Sequence, residues 1–147
     1  MNIGRIQPGT LFCAWALCAC ATTQVGSPAN GVPLKLAMDD IDADIMPALS
    51  SFDADLRSQL EERNVRGNSG TVEVTLIHTL KEKTEDIAYV ELVATVRFIK
   101  GTASVKTFTH RRREGRRTFQ DAARLAAIKL APALADRISS EHRALGW

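Results

Sequence analysis

The stretch TVEVTLIHTL, residues 71–80, alternates apolar and polar side chains through its whole length. This period of two predicts a half-buried strand. Its predicted inner face comprises Val72, Val74, Leu76, His78 and Leu80. The segment AYVELVATVRFI, residues 88–99, alternates in the same way and predicts a second strand. The sequence therefore predicts an antiparallel sheet with one wet face, which needs cover on the other face.

Beyond these two predicted strands, the alternation of apolar and polar residues is weaker. Lys100-Gly101 predicts a tight turn, and residues 102–109 predict a third strand at the sheet edge. Two inner sets remain open for it, Ala103 with Val105 or Lys106 with Phe108. The following HRRREGRR, residues 110–117, is predicted to be a basic loop. A short first strand over residues 34–37 completes the predicted strands.

Two amphipathic helices flank the strands. Residues 46–60 carry apolar side chains at spacings of three and four, and Gly67 is predicted to end that helix. A last helix begins near Thr118, and Pro132 is expected to bend or split it. The polar end, residues 139–147, is expected to fray. The predicted fold of residues 34–147 is therefore an α+β two-layer sandwich, with an antiparallel sheet of three to four strands and two helices on one face.

The first 33 residues differ from the rest. Residues 1–19 have a basic start, a short apolar run and small residues at the end, as secretory signals do. Residues 20–33 are polar and rich in Pro and Gly, which predicts a tether with a root-mean-square span of about 20 Å. All three cysteines lie within residues 13–20. A buried N-terminal helix that keeps its cysteines is the alternative.

The sequence Leu17-Cys18-Ala19-Cys20 resembles the bacterial lipobox. The resemblance implies cleavage before Cys20, which would then carry acyl chains such as palmitate. Ala21 implies sorting to the periplasmic face of the outer membrane. The mature chain would then hold no disulfide, thiolate metal site or cysteine nucleophile.

Charge is segregated along the sequence. Residues 34–63 hold eight acidic and three basic residues, whereas residues 97–117 hold eight basic residues and one acidic residue. The basic stretch includes the candidate site for an anionic partner: Arg111, Arg112, Arg113, Arg116 and Arg117. Guanidinium groups bind carboxylates and phosphates bidentately. The alternative is a solvated segment that keeps an edge strand from pairing. A nucleic-acid partner is not expected, because the signal directs export.

No pattern of catalytic or metal-binding residues emerges. The run Asp40-Ile41-Asp42-Ala43-Asp44 begins like a calcium loop but lacks Gly at its sixth position and Glu at its twelfth. The histidines, His78, His110 and His142, have no ligand spacing. We therefore expect no metal, no cofactor and no enzymatic activity; a hydrolase or metal-dependent enzyme is the least favoured alternative.

The order of helices and strands behind a lipobox and tether is similar to small periplasmic domains of the TolB N-terminal, CsgG-type and LpoB-type groups. From the lipobox, the basic segment and the lack of a catalytic pattern, we expect a non-catalytic binding module, anchored in the outer membrane, for an envelope partner: peptidoglycan, lipopolysaccharide or a protein. The alternative is a structural or accessory subunit of a secretion or transport assembly, in which the edge strand pairs with a neighbouring copy.

Overall fold

The computed structural model describes residues 33–67 and 69–147. The predicted signal segment, Cys20 and nearly all of the tether lie outside the described residues. Seven elements follow in order: β1 (Leu34–Met38), a 3-10 turn (Met46–Leu49), α1 (Phe52–Glu62), β2 (Thr71–Thr84), β3 (Ile87–Lys100), β4 (Ala103–Arg116) and α2 (Phe119–Ala144). The predicted α+β class is confirmed.

The four strands form one sheet in the order β1-β2-β3-β4. β2, β3 and β4 are antiparallel neighbours, but β1 is parallel to β2, so the sheet is mixed rather than purely antiparallel. The parallel pairing follows from the connection, since α1 returns the chain to the end at which β1 began. Leu34 lies beside Val72, which in turn lies beside Phe98.

The basic segment is not a loop, and this prediction was wrong. β4 continues to Arg116, paired with β3 back to Ala88. Long strands on both sides of one tight turn, with Gly101 in the left-handed region at φ 63°, keep the hairpin in register past Thr109. Of the two inner sets left open, the one containing Lys106 and buried Phe108 is found on the helix side.

An irregularity between His78 and Leu80 shifts the register of β2. Beyond it, Leu80 lies beside Glu91 and Lys81 lies beside buried Val90. Facing residues in a ladder share a face, so Leu80 joins the open face and Lys81 the helix face. The prediction that Leu80 points inward was therefore wrong.

Both helices end in the same kind of cap. In α1, the left-handed residue is Asn64, at φ 53°. The amides of Asn64 and Val65 donate to the carbonyls of Glu61 and Leu60, respectively. These paired bonds are those of a Schellman motif. Gly67 does not end the helix, contrary to the prediction.

α2 runs unbroken through Pro132 to Ala144, so the chain neither splits there nor frays from Ser139 onward. Gly146, at φ 69°, caps this helix with bonds from the amides of Gly146 and Trp147 to Arg143 and His142. The cap directs Trp147 edge-on to Phe98, with ring centroids 5.6 Å apart. A Cβ at Gly70 would lie 2.2 Å from the Trp147 ring, so this docked terminus requires glycine there.

The core lies between the sheet and the two helices. Apolar side chains from β2 and β3 meet those from α1 and α2 at full burial. Together with two from the 3-10 turn and the residue before it, the largest are Phe52, Phe98, Ile45, Leu49, Leu56, Leu76, Leu92, Leu130, Leu134 and Ile138. The opposite face of the sheet carries no covering element in the described part of the chain. Helical cover on one face confirms the predicted two-layer packing.

Candidate binding surface

β4 separates the arginines of the basic segment instead of gathering them. Arg112 and Arg116 lie beside Leu92 and Ala88, on the helix side of the sheet. Arg111 lies beside Val93 and Arg113 beside Glu91, on the open side. Arg117 follows the strand, just before α2. The five predicted site residues therefore do not form one patch.

Two of the five arginines are neutralised within the domain. The Arg113 guanidinium donates to Glu82 Oε1 at 2.6 Å, and it stacks 4.9 Å from the centre of the Tyr89 ring. Arg112 Nε donates to Glu114 Oε1 at 2.7 Å, and Lys129 Nζ donates to the same oxygen at 2.9 Å. Each of these two arginines is thus already paired with a carboxylate of the domain.

Glu114 responds to the two cations around it. Burial alone would raise the pKa of this carboxyl group, but the hydrogen bonds from Lys129 and Arg112 outweigh burial and lower the pKa below 4.5. The Glu114 side chain is 11% exposed. It is therefore a charged link between β4 and α2, and its pairs are less exposed to solvent screening than ordinary surface pairs.

Two other members of the predicted cluster meet a residue from α2. Arg116, Arg117 and Arg124 line a shallow groove together with Asp121, Leu125 and Ile128. We call these six residues the arginine groove. In the described part of the chain, no carboxylate lies within 4.0 Å of any of the three guanidinium groups. With three arginines against Asp121, the groove therefore carries a net positive charge.

The acid in the groove has a structural task. Asp121 receives a hydrogen bond from the Thr118 hydroxyl at 2.7 Å, and its amide donates back to Thr118 at 3.1 Å. This reciprocal pair caps the start of α2. Asp121 is thus hydrogen-bonded to the N-cap residue Thr118, and the arginines beside it remain available to an external anion.

The groove also has an apolar floor. Ile128 is 55% exposed, which is high for so large an apolar side chain, and Leu125 lies one turn before it. Both residues fall outside the apolar stripe by which α2 packs on the core. Positive groups beside exposed aliphatic groups suit a ligand that is both acidic and apolar.

Sequence reasoning missed Arg124, Leu125 and Ile128. The available signal was the spacing of Asp121, Arg124, Leu125 and Ile128, which at three and four residues apart share one side of the predicted helix that follows Arg117. That signal needs the helix to begin at residue 119, which the sequence predicted, and β4 to reach residue 116, which it did not.

The acidic segment at residues 39–44 is bound by the domain. Lys81 Nζ lies 2.9 Å from Asp42 Oδ2 and 2.7 Å from Asp44 Oδ2, and 5.1 Å from the centre of the Phe119 ring. The Lys81 hydrogen bond lowers the pKa of Asp42. His78 Nδ1 also contacts the Asp40 backbone carbonyl. This segment is thus fastened to β2 through charge.

The histidines are apart from one another. His78 belongs to the acidic segment's contacts, His110 lies half-buried on β4, and His142 is buried near Trp147 with ring centroids 6.2 Å apart. Burial lowers the pKa of His142 below 6.5. Within residues 33–67 and 69–147, no three potential ligands among His, Cys, Asp and Glu are grouped for a metal ion. No helix in that same part of the chain combines the length and apolarity needed to cross a membrane.

Comparisons with known proteins give distant likenesses. No family model matches the chain, and no curated protein sequence matches it. Several solved structures resemble it in part, among them the following three. A chain from Caulobacter crescentus CB15, provisionally described as a lipoprotein, has 11% identity and a TM-score of 0.44, over 74% of this chain and 90% of that one.

The second is a minor lipoprotein from Acinetobacter baumannii, with 12% identity, a TM-score of 0.48, and coverage of 72% and 92%. The third is lipoprotein GNA1162 from Neisseria meningitidis, with 14% identity, a TM-score of 0.35, and coverage of 74% and 95%. All three scores lie below 0.5, so these likenesses are too remote to assign a function to the arginine groove.

Proposed function

We propose that this chain is a lipid-anchored bacterial envelope protein, with its anchor at Cys20, whose domain binds an acidic partner through the arginine groove without catalysing a reaction. The observation that carries the proposal is the convergence of Arg116, Arg117 and Arg124, none paired with a carboxylate in the described chain, on exposed Ile128. The anchor rests on the lipobox sequence, and outer-membrane sorting rests on Ala21.

The groove lies far from the point where the proposed tether enters the domain. β1 begins at Leu34, level with Phe98, whereas Arg116 lies beside Ala88. Ten residues of β3 separate Phe98 from Ala88, about 34 Å at about 3.4 Å per residue. A domain anchored at its Leu34 end can therefore present the groove away from the membrane.

Among the envelope partners considered, an acidic protein segment fits the groove best. Its carboxylates would meet the guanidinium groups, and its aliphatic side chains would cover Leu125 and Ile128, which a polar glycan strand would leave wet. Lipopolysaccharide is less favoured, because the groove can face away from the membrane. Peptidoglycan is retained as an outcome of the test below.

The test is site-specific photo-crosslinking in cells that express the full chain. A benzoylphenylalanine replacing Ile128 should give a crosslinked protein band. The same probe replacing Val105, which is 44% exposed near the opposite end of β4 from Arg116, is the matched control and should not give that band. Adding Arg116→Gln, Arg117→Gln and Arg124→Gln should abolish the Ile128 band. Replacing Arg66, Arg97 and Lys100 by Gln removes the same charge elsewhere and should preserve it.

Two outcomes would overturn the partner proposal. A product that disappears on muramidase digestion would identify peptidoglycan in place of a protein. An Ile128 band that survives the loss of all three arginines would show that the charge does not recognise the partner. Separately, Cys20→Ser should release the chain from the outer-membrane fraction, whereas Cys18→Ser should not; equal behaviour of the two would contradict the anchor.

The second candidate is a structural or accessory subunit of a secretion or transport assembly. The observation favouring it is β4 itself, a strand of fourteen residues at the edge of the sheet with no further strand beside it in the described chain. Such an edge can pair with another chain.

A further inference from the structure

The strands carry the charge segregation of the sequence to opposite edges of the sheet. Met38, the last residue of β1, lies level with Leu76, Ala94 and, at the far edge, His110. The next residues along the two outer strands are therefore Asp39 on one edge and Arg111 on the other. The acidic segment and the arginines of β4 thus lie at one height, three strands apart.

The two edges also run in the same direction. β1 is parallel to β2, and β4 is antiparallel to β3, which is antiparallel to β2. β1 and β4 are accordingly parallel. A second copy moved sideways by the width of the sheet, and turned to continue the twist of the sheet, would place its β1 next to β4 of the first, with Leu36 beside Phe108 and Asp39 beside Arg111.

The charges that would meet are available. Asp39, Asp40 and Arg111 are exposed, and none of them forms an ion pair within residues 33–67 and 69–147. Residues 39–44 contain four aspartates, whereas residues 111–116 contain four arginines against Glu114. Opposite charges at matched positions favour this register.

The edge of β1 is partly covered. Arg57 Nη2 donates to the Leu34 carbonyl at 2.9 Å, which removes the first acceptor of the strand from pairing. Backbone pairing with a neighbour would therefore be confined to the remainder of β1, and the charged segments would supply most of the specificity.

We propose that copies of this chain associate side to side, with the acidic segment and β1 edge of one copy against the β4 edge of the next. The two surfaces differ, so the contact is heterologous, and repetition gives a closed ring or an open row. The rival arrangement is a two-fold pair of β4 edges. It is disfavoured because each strand would bring Lys106 and four arginines against a single glutamate.

The test is a complementary charge exchange, measured by sedimentation of the full chain in detergent. Wild type should associate at concentrations up to about 100 μM. Arg111→Glu alone, or Asp39→Lys with Asp40→Lys alone, should each raise the dissociation constant at least about tenfold by placing like charges together. An equal mixture of the two variants should associate again. When copies of the two variants alternate, every contact between neighbours again brings opposite charges together. Arg66→Glu is the control and should associate like wild type.

Three results would overturn the proposal: a monomeric wild type over that range, a mixture that does not recover, or association unaffected by the aspartate changes. The last result would indicate β4–β4 pairing. The variants leave the arginine groove intact, so loss of association and loss of the proposed partner binding remain separate observations.

Discussion

The acidic residues 39–44 and the basic residues 111–117 are both runs rich in one charge, and in each run the fold pairs some side chains and leaves others unpaired within the described chain. Of the acidic residues, Asp42 and Asp44 are held by Lys81, which also contacts the Phe119 ring, whereas Asp39 and Asp40 form no ion pair in the described chain. Of the arginines in residues 111–117, Arg112 and Arg113 are paired, whereas Arg111, Arg116 and Arg117 have no carboxylate partner in the described chain. A run of charge is therefore structural or available according to what the strands place opposite it.

The largest effect on stability is expected in the acidic segment. Lys81→Met should lower the free energy of unfolding by about 1–2 kcal/mol, because it removes two charged hydrogen bonds and a cation–π contact. Urea unfolding measures the loss. Lys83→Met, two residues along and exposed, is the matched control; an equal loss there would show that Lys81 does not fasten the segment.

A smaller loss is expected where the basic segment is itself paired. Glu114→Gln should cost about 1 kcal/mol in urea unfolding, since Arg112 and Lys129 lose their shared anion while remaining partly solvated. Glu62→Gln, an exposed acid at the end of α1, provides the comparison. No difference between the two variants would mean that β4 does not depend on this link.

Lowering the pH should weaken both the pair of Asp42 with Lys81 and the pairs of Glu114 with Arg112 and Lys129. The pKa values of Asp42 and Glu114 are lowered in the fold, so their stabilisation is fully present above the unfolded carboxyl pKa, about 4. It is lost as the pH falls through the lower folded values. Asp42→Asn and Glu114→Gln should each flatten the decline of stability below pH 4, measured by urea unfolding at successive pH values. A decline as steep as in wild type would contradict this linkage.

The smallest effect on stability is expected in the arginine groove. Arg116→Gln, Arg117→Gln and Arg124→Gln together should change the unfolding free energy by less than about 0.5 kcal/mol, because no ion pair in the described chain is lost. Arg112→Gln with Arg113→Gln should cost up to about 1 kcal/mol. A reversed order in thermal unfolding would show that the groove arginines are structural.

Alternation and helical spacing predicted β2, β3, both helices and their two-layer packing, because these elements bury one face. They could not predict that β4 extends to Arg116, since an edge strand with charged side chains lacks an apolar pattern. Its pairing comes from β3. The register shift near Thr79 was equally hidden, and it places Lys81 where the acidic segment needs a cation.

The sequence predicted the helix ends poorly for a related reason. Asn64 and Gly146 are both possible left-handed caps, but the choice between Asn64 and Gly67 depends on where Val65 finds burial. Similarly, Trp147 is held by Phe98 and by the absence of a side chain at Gly70, which are distant in sequence. The groove depends on such distant placement too, since Arg116 and Arg124 belong to different elements.

The most direct test of the difference between paired and available arginines is an affinity measurement. A fluorescent peptide alternating glutamate and leucine is titrated with wild type and with two variants. The first variant carries Arg116→Gln, Arg117→Gln and Arg124→Gln. The second variant carries Arg112→Gln and Arg113→Gln. We predict at least about tenfold weaker binding for the first variant and less than about twofold for the second. Equal losses, or a greater loss on removing the paired arginines, would contradict the assignment of the groove as the binding site.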